Sequence, residues 1–511
     1  MKKILLASAF AAMALPMMAQ ETYENTKLVD NDLNGTARYV GMGGAMEALG
    51  ADISTMSTNP AGIGLFRKSQ ISASASVVMQ ADVEKFDDAD KTNFSFDQIG
   101  LVYSRPTGTN SFLNIGFNYH KSRNFRQILN AAGSLSNASQ NKLTYKKAEQ
   151  GVFTSTNDLN FSMVDDLYMS GMLYNSTDQT YYYYPATSYT FGQATKGYIG
   201  EYDFNISGNI HDRVYLGVTF GIHDVNYRHY AAYLESLASN EDGLDYAGVE
   251  DVREIDGTGF DIKAGVIFRP VENSPFRIGT YINTPTWYDL TLYSSAALIG
   301  GTTRQSASYD YKVYTPWKFG LSLGHTVGNF LALGATVEYA DYSSMSTRII
   351  DGSSYDWYYD AYYESSSADE RMNDHTDYTL KGVATVKLGG EVKVAPEWAL
   401  RLGYNYVSPM YDENGSKDGT LYSPGTYYET QTAYVNWKST NRITCGVGYQ
   451  HKNFSADLAY QYSGTNGDFY PFMNYYENGI SGTASTEDNT CGAVDVSNKR
   501  HQILLTLGYR F

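Results

Sequence analysis

Carboxylates and imidazoles are the side chains here with the most chemistry to offer, yet their spacing assembles no recognisable centre. Asp87, Asp88 and Asp90 lie in one short polar stretch, and Asp356, Asp360, Glu364, Asp369 and Glu370 in a longer one. Oxygen ligands of this kind suit calcium, but neither stretch has the ordered ligand loop of an EF-hand, so solvated acidic loops are expected. His211, His223, His229 and His325 fall on turns and strand ends without zinc spacing, with single-histidine haem ligation left as an alternative. Ser, His and Asp occur without a nucleophile elbow, so no catalytic residue, metal or cofactor is assigned and the chain is not expected to be an enzyme. Gly41-Met42-Gly43-Gly44 has the small residues of a phosphate-cradling loop but neither the preceding strand nor the following lysine, and it reads as a glycine-rich turn. The two cysteines, Cys445 and Cys491, cannot make a four-thiolate site and are not expected to pair.

The composition explains why chemistry is scarce. In 511 residues there are 47 Gly and 47 Tyr, aromatics make up 14% and charged residues only 18%. A mean hydropathy of -0.38 is too polar for a helical membrane protein. The formal charge of -17 argues against nucleic acid as a partner, which requires a basic footprint. Residues 1–19 read as a signal peptide: Lys2 and Lys3, an apolar run from Ile4 to Met18, and a small residue, Ala19, before Gln20. Nothing later in the chain is long and apolar enough for a spanning helix, so a membrane would have to be crossed by strands.

Alternation with period two supplies them. In the last segment Ile503, Leu505, Leu507, Tyr509 and Phe511 share one face against Gln502, Thr506, Gly508 and Arg510, with Leu504 as the one exception. Phe260, Ile262, Ala264, Val266 and Phe268 oppose Asp261, Lys263, Gly265 and a lone apolar Ile267. The pattern predicts fourteen strands, at 70–79, 93–104, 110–120, 200–210, 213–224, 256–268, 276–293, 308–324, 330–341, 376–393, 398–408, 439–450, 454–463 and 500–511. The stretch 276–293 is expected to be bent or split, because Pro275 and Pro285 remove backbone donors.

Short turns, such as 105–109, 209–212, 326–329, 395–397 and 451–453, alternate with long polar segments at 121–199, 225–255, 342–375, 409–438 and 464–499. One rim is therefore short and the other long, as in a Gram-negative outer-membrane barrel whose short turns face the periplasm. The expected fold is all-β: a fourteen-stranded antiparallel transmembrane β-barrel over 70–511, with 20–69 packed inside the lumen. A secreted propeller or adhesin is the competing architecture. The tyrosines are expected in membrane girdles and loop contacts.

Before the first strand come Gly35-Thr36-Ala37, Gly41-Met42-Gly43-Gly44-Ala45 and then Asn59-Pro60-Ala61-Gly62-Ile63-Gly64. With fourteen strands after it and an aromatic C-terminus at Phe511, this run resembles the FadL and TodX family of outer-membrane transport proteins, in its Bacteroidetes-type form. The Asn-Pro-Ala triplet matches that family's hatch motif. The resemblance implies passive uptake of long-chain fatty acids or other hydrophobic compounds, with lipid or detergent as further ligands, by a monomer in the outer membrane. It implies a hatch over 20–69, with Asn59, Pro60, Ala61, Gly62, Gly43 and Gly44 on the ligand route. It also implies a lateral gate at the third strand, where Asn114, Gly116 and Asn118 are the candidates.

An apolar stripe in the longest outer segment, Met163, Leu167, Met169, Met172 and Leu173 near Tyr181 to Tyr184, is the candidate for ligand capture, with ordinary loop packing as the plain alternative. Transfer of each buried CH2 from water contributes about 0.8 kcal/mol, enough for capture without a chemical energy source. An adhesive or structural antigen and a nonspecific porin are the other functions compatible with such a barrel.

Overall fold

The fourteen alternating segments become one closed antiparallel wall in the computed structural model, which describes residues 22–151, 161–177, 179–272, 274–358, 360–421, 423–478 and 484–511. The expected signal peptide lies outside the described residues. In chain order the wall strands are β1 (Gln70–Ala81), β2 (Thr92–Gly108), β3 (Ser111–Asn124), β4 (Ala186–Ile210), β5 (Val214–Leu237), β6 (Tyr246–Phe268), β7 (Arg277–Asn283) and β8 (Lys318–Val327). They continue as β9 (Leu331–Asp341), β10 (Gly382–Lys393), β11 (Trp398–Val407), β12 (Tyr434–His451), β13 (Phe454–Tyr470) and β14 (Val494–Arg510). Each pairs with its sequence neighbours, and β14 closes onto β1 from Gln70–Arg510 to Ala81–Lys499. No helix among the described residues is long and apolar enough to cross a membrane.

The polarity of the wall is inverted relative to a soluble sheet. On β14, Ile503, Leu505, Leu507 and Tyr509 are exposed while Gln502 and Thr506 are buried; on β4, Phe204 and Ile206 are exposed while Asp203, Asn205 and Ser207 are buried. Apolar side chains outward and polar ones inward is the arrangement a bilayer selects. The tyrosines divide: Tyr103, Tyr202, Tyr339 and Tyr509 face outward, whereas Tyr215, Tyr227, Tyr281, Tyr288 and Tyr311 fill the lumen, a role not expected from composition.

The segment 22–69 runs inside this wall. Helix α1 (Thr22–Val29) lies toward the outer end, α2 (Ala37–Gly41) follows, and two 3-10 turns, Ile53–Ser57 and Pro60–Leu65, lead to β1. Close approach explains much of the glycine: a Cβ at Gly389, Gly403, Gly334 or Gly265 of the wall would collide with Met42, Gly43, Ala45 or Asn59 of the plug. The two breaks in alternation mark the same contact. Leu504 faces inward into a cluster with Leu33, Ala37, Met42 and Met46, and Ile267 packs on Ala61 and Tyr215.

Several expected boundaries are corrected. The segment 225–255 is largely strand, and 121–199 and 464–499 hold strand at their ends: β4 and β5 stay paired from Ile210–Val214 out to Ala186–Leu237. Beyond the bilayer both faces are polar or packed, so the ladder continues without the apolar alternation that reveals it in sequence. The stretch 276–293 is split at Pro285 as expected, but 308–324 is also split, at Pro316, into Arg304–Tyr314 and β8. Residues 376–379 end a helix (Glu370–Thr379) rather than begin a strand. An arginine on the lipid-facing wall costs about 2–4 kcal/mol near the bilayer midplane. Leu505→Arg is therefore expected to lower the urea midpoint for folding into lipid vesicles, and an unchanged midpoint would contradict the outward belt.

Candidate functional site

The lumen is organised around the contact of plug and wall, and inward polar side chains satisfy the plug's backbone. Asn114 Nδ2 donates to the Ile63 carbonyl at 2.7 Å, Thr506 Oγ1 accepts from Ala37 N at 2.7 Å, and Asn405 Nδ2 donates to the Gly43 carbonyl at 3.3 Å. Gly43 and Gly44 have φ of +63° and +79°, a backbone that disfavours any side chain. Asn59 caps the Pro60–Leu65 turn: its Oδ1 accepts from Ala61 N at 3.2 Å while its Nδ2 donates to the Glu47 carbonyl at 3.0 Å. Pro60 occupies the first turn position, where a missing N–H costs nothing. The Asn-Pro-Ala-Gly run is thus a capped corner wedged between the wall and Glu47.

Buried ion pairs tie plug to wall. Lys387 Nζ on β10 lies 2.8 Å from Glu47 Oε1 and 2.9 Å from Glu338 Oε1, while Tyr39 and Thr336 donate to the two oxygens of Glu47. Arg38 forks onto Glu391 at 2.9 and 3.1 Å, and Arg401 joins Glu391 to Asp457. On α1, Glu24 pairs with Lys27 and with Arg253 of β6. Burial opposes the charge on Glu24, but Arg253 and Lys27 outweigh it and hold the carboxyl down to about 2. The pairs that join plug to wall were not legible in the sequence, because Glu47 and Lys387, Arg38 and Glu391, and Glu24 and Arg253 stand hundreds of residues apart and meet only across the lumen.

Above α1 lies a cavity of about 170 Å³. Tyr23, Phe125, Phe191, Tyr434, Trp437 and Phe469 supply aromatic walls, and Arg253, Lys417 and Arg500 supply positive charge. A second cavity, of about 510 Å³, shares Gln127, Thr195 and Arg500 with it and reaches Val78, Asn93 and Ile128 at the side of the barrel.

There the wall parts. The ladder between β2 and β3 begins only at Gln98–His120, whereas β2 stays paired to β1 out to Met79–Thr92. Beyond Asn124 the chain keeps to β4, with Gln127–Ala138 continuing the β3–β4 register. Side chains bridge the parting: Lys121 Nζ donates to Ser95 Oγ at 2.8 Å, and plug residue Asn34 donates to Asp97 Oδ1 at 3.1 Å and to the Lys121 carbonyl at 3.0 Å. Phe94 and Phe96 stand exposed on the outer face of β2 beside it. At Asn114, Gly116 and Asn118 the wall is paired on both sides; Gly116 faces Met56, and Asn118 accepts from Gln98.

The apolar stripe of the longest outer segment is packed rather than open. Met163, Leu167 and Leu173 are buried in a cluster with Leu129, Leu135, Tyr189, Tyr233 and Phe472, and Met169 and Met172 are partly buried against it with Tyr181, Tyr183 and Tyr184. The stripe roofs the lumen.

With this geometry in view, the chain aligns with the crystal structure of a Pseudomonas aeruginosa FadL homologue at TM-score 0.52 and 13% identity, over 94% of this chain and 99% of that one. The chain has the FadL fold. The toluene transporters TbuX of Ralstonia pickettii and TodX of P. putida each align at TM-score 0.47, with 12% and 13% identity, over 94% of this chain and 99% of theirs. No protein-family model matches the sequence, and a search of the curated proteins finds no match. Fold and apolar belt together place this FadL-like barrel in the outer membrane of a Gram-negative cell.

Two outcomes follow from the plug contacts. Lys387→Met strands Glu47 and Glu338 without their cation, an expected loss of about 3–5 kcal/mol, read as a lower urea midpoint together with protease cleavage within 22–69. Because the folded Glu24 carboxyl titrates near 2 instead of its ordinary 4.5, its contribution is full above 4.5 and fades as pH falls toward 2. The same protease assay should show α1 protected at pH 5 and progressively released in that acid window in the wild type, with Glu24→Gln removing this component of the pH dependence.

Proposed function

We propose that the barrel passes hydrophobic or amphipathic small molecules, long-chain fatty acids foremost, from the outer face to the membrane interior or past the plug without an energy source. The parted ladder between β2 and β3 carries the reading. It stands beside the larger cavity, which shares three residues with the aromatic and cationic chamber above the plug. Aromatic rings match an acyl chain or an aromatic hydrocarbon, and the basic residues of the lining, Arg500 among them, match a carboxylate head group.

On this reading the lateral gate lies at Ser95–Asp97 and His120–Asn124 rather than at Asn114, Gly116 and Asn118. Residues 20–69 act as the hatch, in which Gly43, Gly44 and Asn59 to Gly62 form the hinge-like corner. A filled lumen also disfavours an open porin. The toluene transport named for the two others is transport of a hydrophobic small molecule, the cargo class proposed here.

The test uses purified barrel in detergent and in planar bilayers. Binding of long-chain fatty acids is expected from a panel that includes aromatic hydrocarbons. Lys121→Ala should speed transfer of a fluorescent fatty acid into vesicles by removing a bridge across the parting, and deletion of 22–64 should open a steady conductance absent from the whole chain. No binding across the panel, or the same conductance with and without the segment, overturns the proposal.

A further inference from the structure

Strand register brings together a group of side chains that no sequence spacing announces. His120 of β3 lies opposite Glu201 of β4, and Glu201 lies opposite His223 of β5, so three consecutive strands place imidazole, carboxylate and imidazole in one inward row. Asp203 is two residues along from Glu201, and Asp261 and Lys263 of β6 complete the cluster. All six are buried, Asp203 with no side-chain exposure.

The two oxygens of each carboxylate have different surroundings. Lys263 Nζ takes the first of each, at 2.7 Å from Glu201 Oε1, 2.6 Å from Asp261 Oδ1 and 3.4 Å from Asp203 Oδ1. The second oxygens face the histidines. His120 Nε2 is 3.5 Å from Glu201 Oε2, His120 Nδ1 is 3.7 Å from Asp203 Oδ2, and His223 Nδ1 is 4.0 Å from Glu201 Oε2. These separations exceed ordinary N–H···O bonds. The His120–Glu201 separation approaches the spacing of two ligands that each sit about 2.0–2.1 Å from a shared tetrahedral ion, about 3.4 Å apart, while Asp203 faces the other nitrogen of the same ring.

Two buried atoms in this row, Asp203 Oδ2 and His223 Nδ1, have no hydrogen-bond partner. The other nitrogen of His223 is 3.0 Å from Asp261 Oδ2, the carboxylate support that a metal-binding imidazole ordinarily has behind it. Three buried carboxylates share a single cation here, Lys263. A divalent cation would balance them.

We infer that His120, Glu201 and Asp203, whose ligand atoms lie within 4.8 Å of one another, form a binding site for a divalent transition-metal ion of the zinc class in the barrel wall, with His223, Asp261 and Lys263 packed around Glu201 to orient it. Mixed imidazole and carboxylate donors favour such an ion over calcium or magnesium. Asn31 and Ser57 of the plug border the cavities that the cluster lines, so the ion would sit where wall and plug meet.

The test uses the full chain without a histidine tag, folded in detergent, stripped with chelator and titrated with zinc and then cobalt. Retention of about one ion per chain after desalting is expected, with cobalt giving the visible absorption of a low-coordinate site with imidazole ligands. His120→Asn with His223→Asn should abolish both signals while the barrel keeps its heat-modifiable mobility. Asp261→Asn, which alters the partners of both His223 and Lys263, should weaken binding about 10- to 100-fold. Failure of the wild type to retain an ion, or undiminished retention by the double variant, overturns the site and leaves shared protons as the cluster's charge balance. Ion retention is read separately from the fatty-acid binding proposed above.

Discussion

Hydrocarbon offers no hydrogen bond to a peptide group, and the rest of the architecture follows from that constraint. Each backbone donor and acceptor in the membrane must find a partner in the wall, so the fourteen strands close, with β14 on β1. Closure around lipid then reverses the usual polarity. Leu505 and Phe204 face outward, and Gln502, Asp203 and Asn205 are driven into the lumen. A polar interior of that width must be filled by water or by protein, and here the first segment of the chain occupies it.

The filling is held by desolvated polar contacts more than by an oily core. Lys387 between Glu47 and Glu338, Arg38 on Glu391, and Arg253 on Glu24 each join plug to wall. Breaking one such pair leaves an uncompensated charge, so motion of the whole plug is costly. The side of the barrel is weaker. Beyond Gln98–His120 the β2–β3 contact relies on a few partly buried side-chain hydrogen bonds from Lys121 and Asn34 in place of a backbone ladder. That contrast suits the sideways path proposed above.

Much of this was legible beforehand. Strand count, barrel class and the short and long rims follow from alternation and turn spacing, because a wall between lipid and a polar lumen imposes period two on each strand. Leu504 and Ile267 break that period, and each proves to touch the plug, so the exceptions carried information about the lumen. The same signal vanished outside the bilayer, where β4, β5 and β6 continue through segments read as loops. Pro316 splits its strand as Pro285 does, a consequence of the missing N–H that was applied at only one of the two positions.

By itself, then, the sequence determined the kind of wall, its inside and outside, and the small-residue segment able to enter it, since each of these is written in local periodicity or local composition. Tertiary structure decided the sites. His120, Glu201 and His223 share a row only through two strand registers, Glu47 meets Lys387 only across the lumen, and the wall parts at His120 because the chain stays with β4 after its ladder to β2 ends. Register and closure are properties of pairs of strands, and no single stretch of chain encodes a pair.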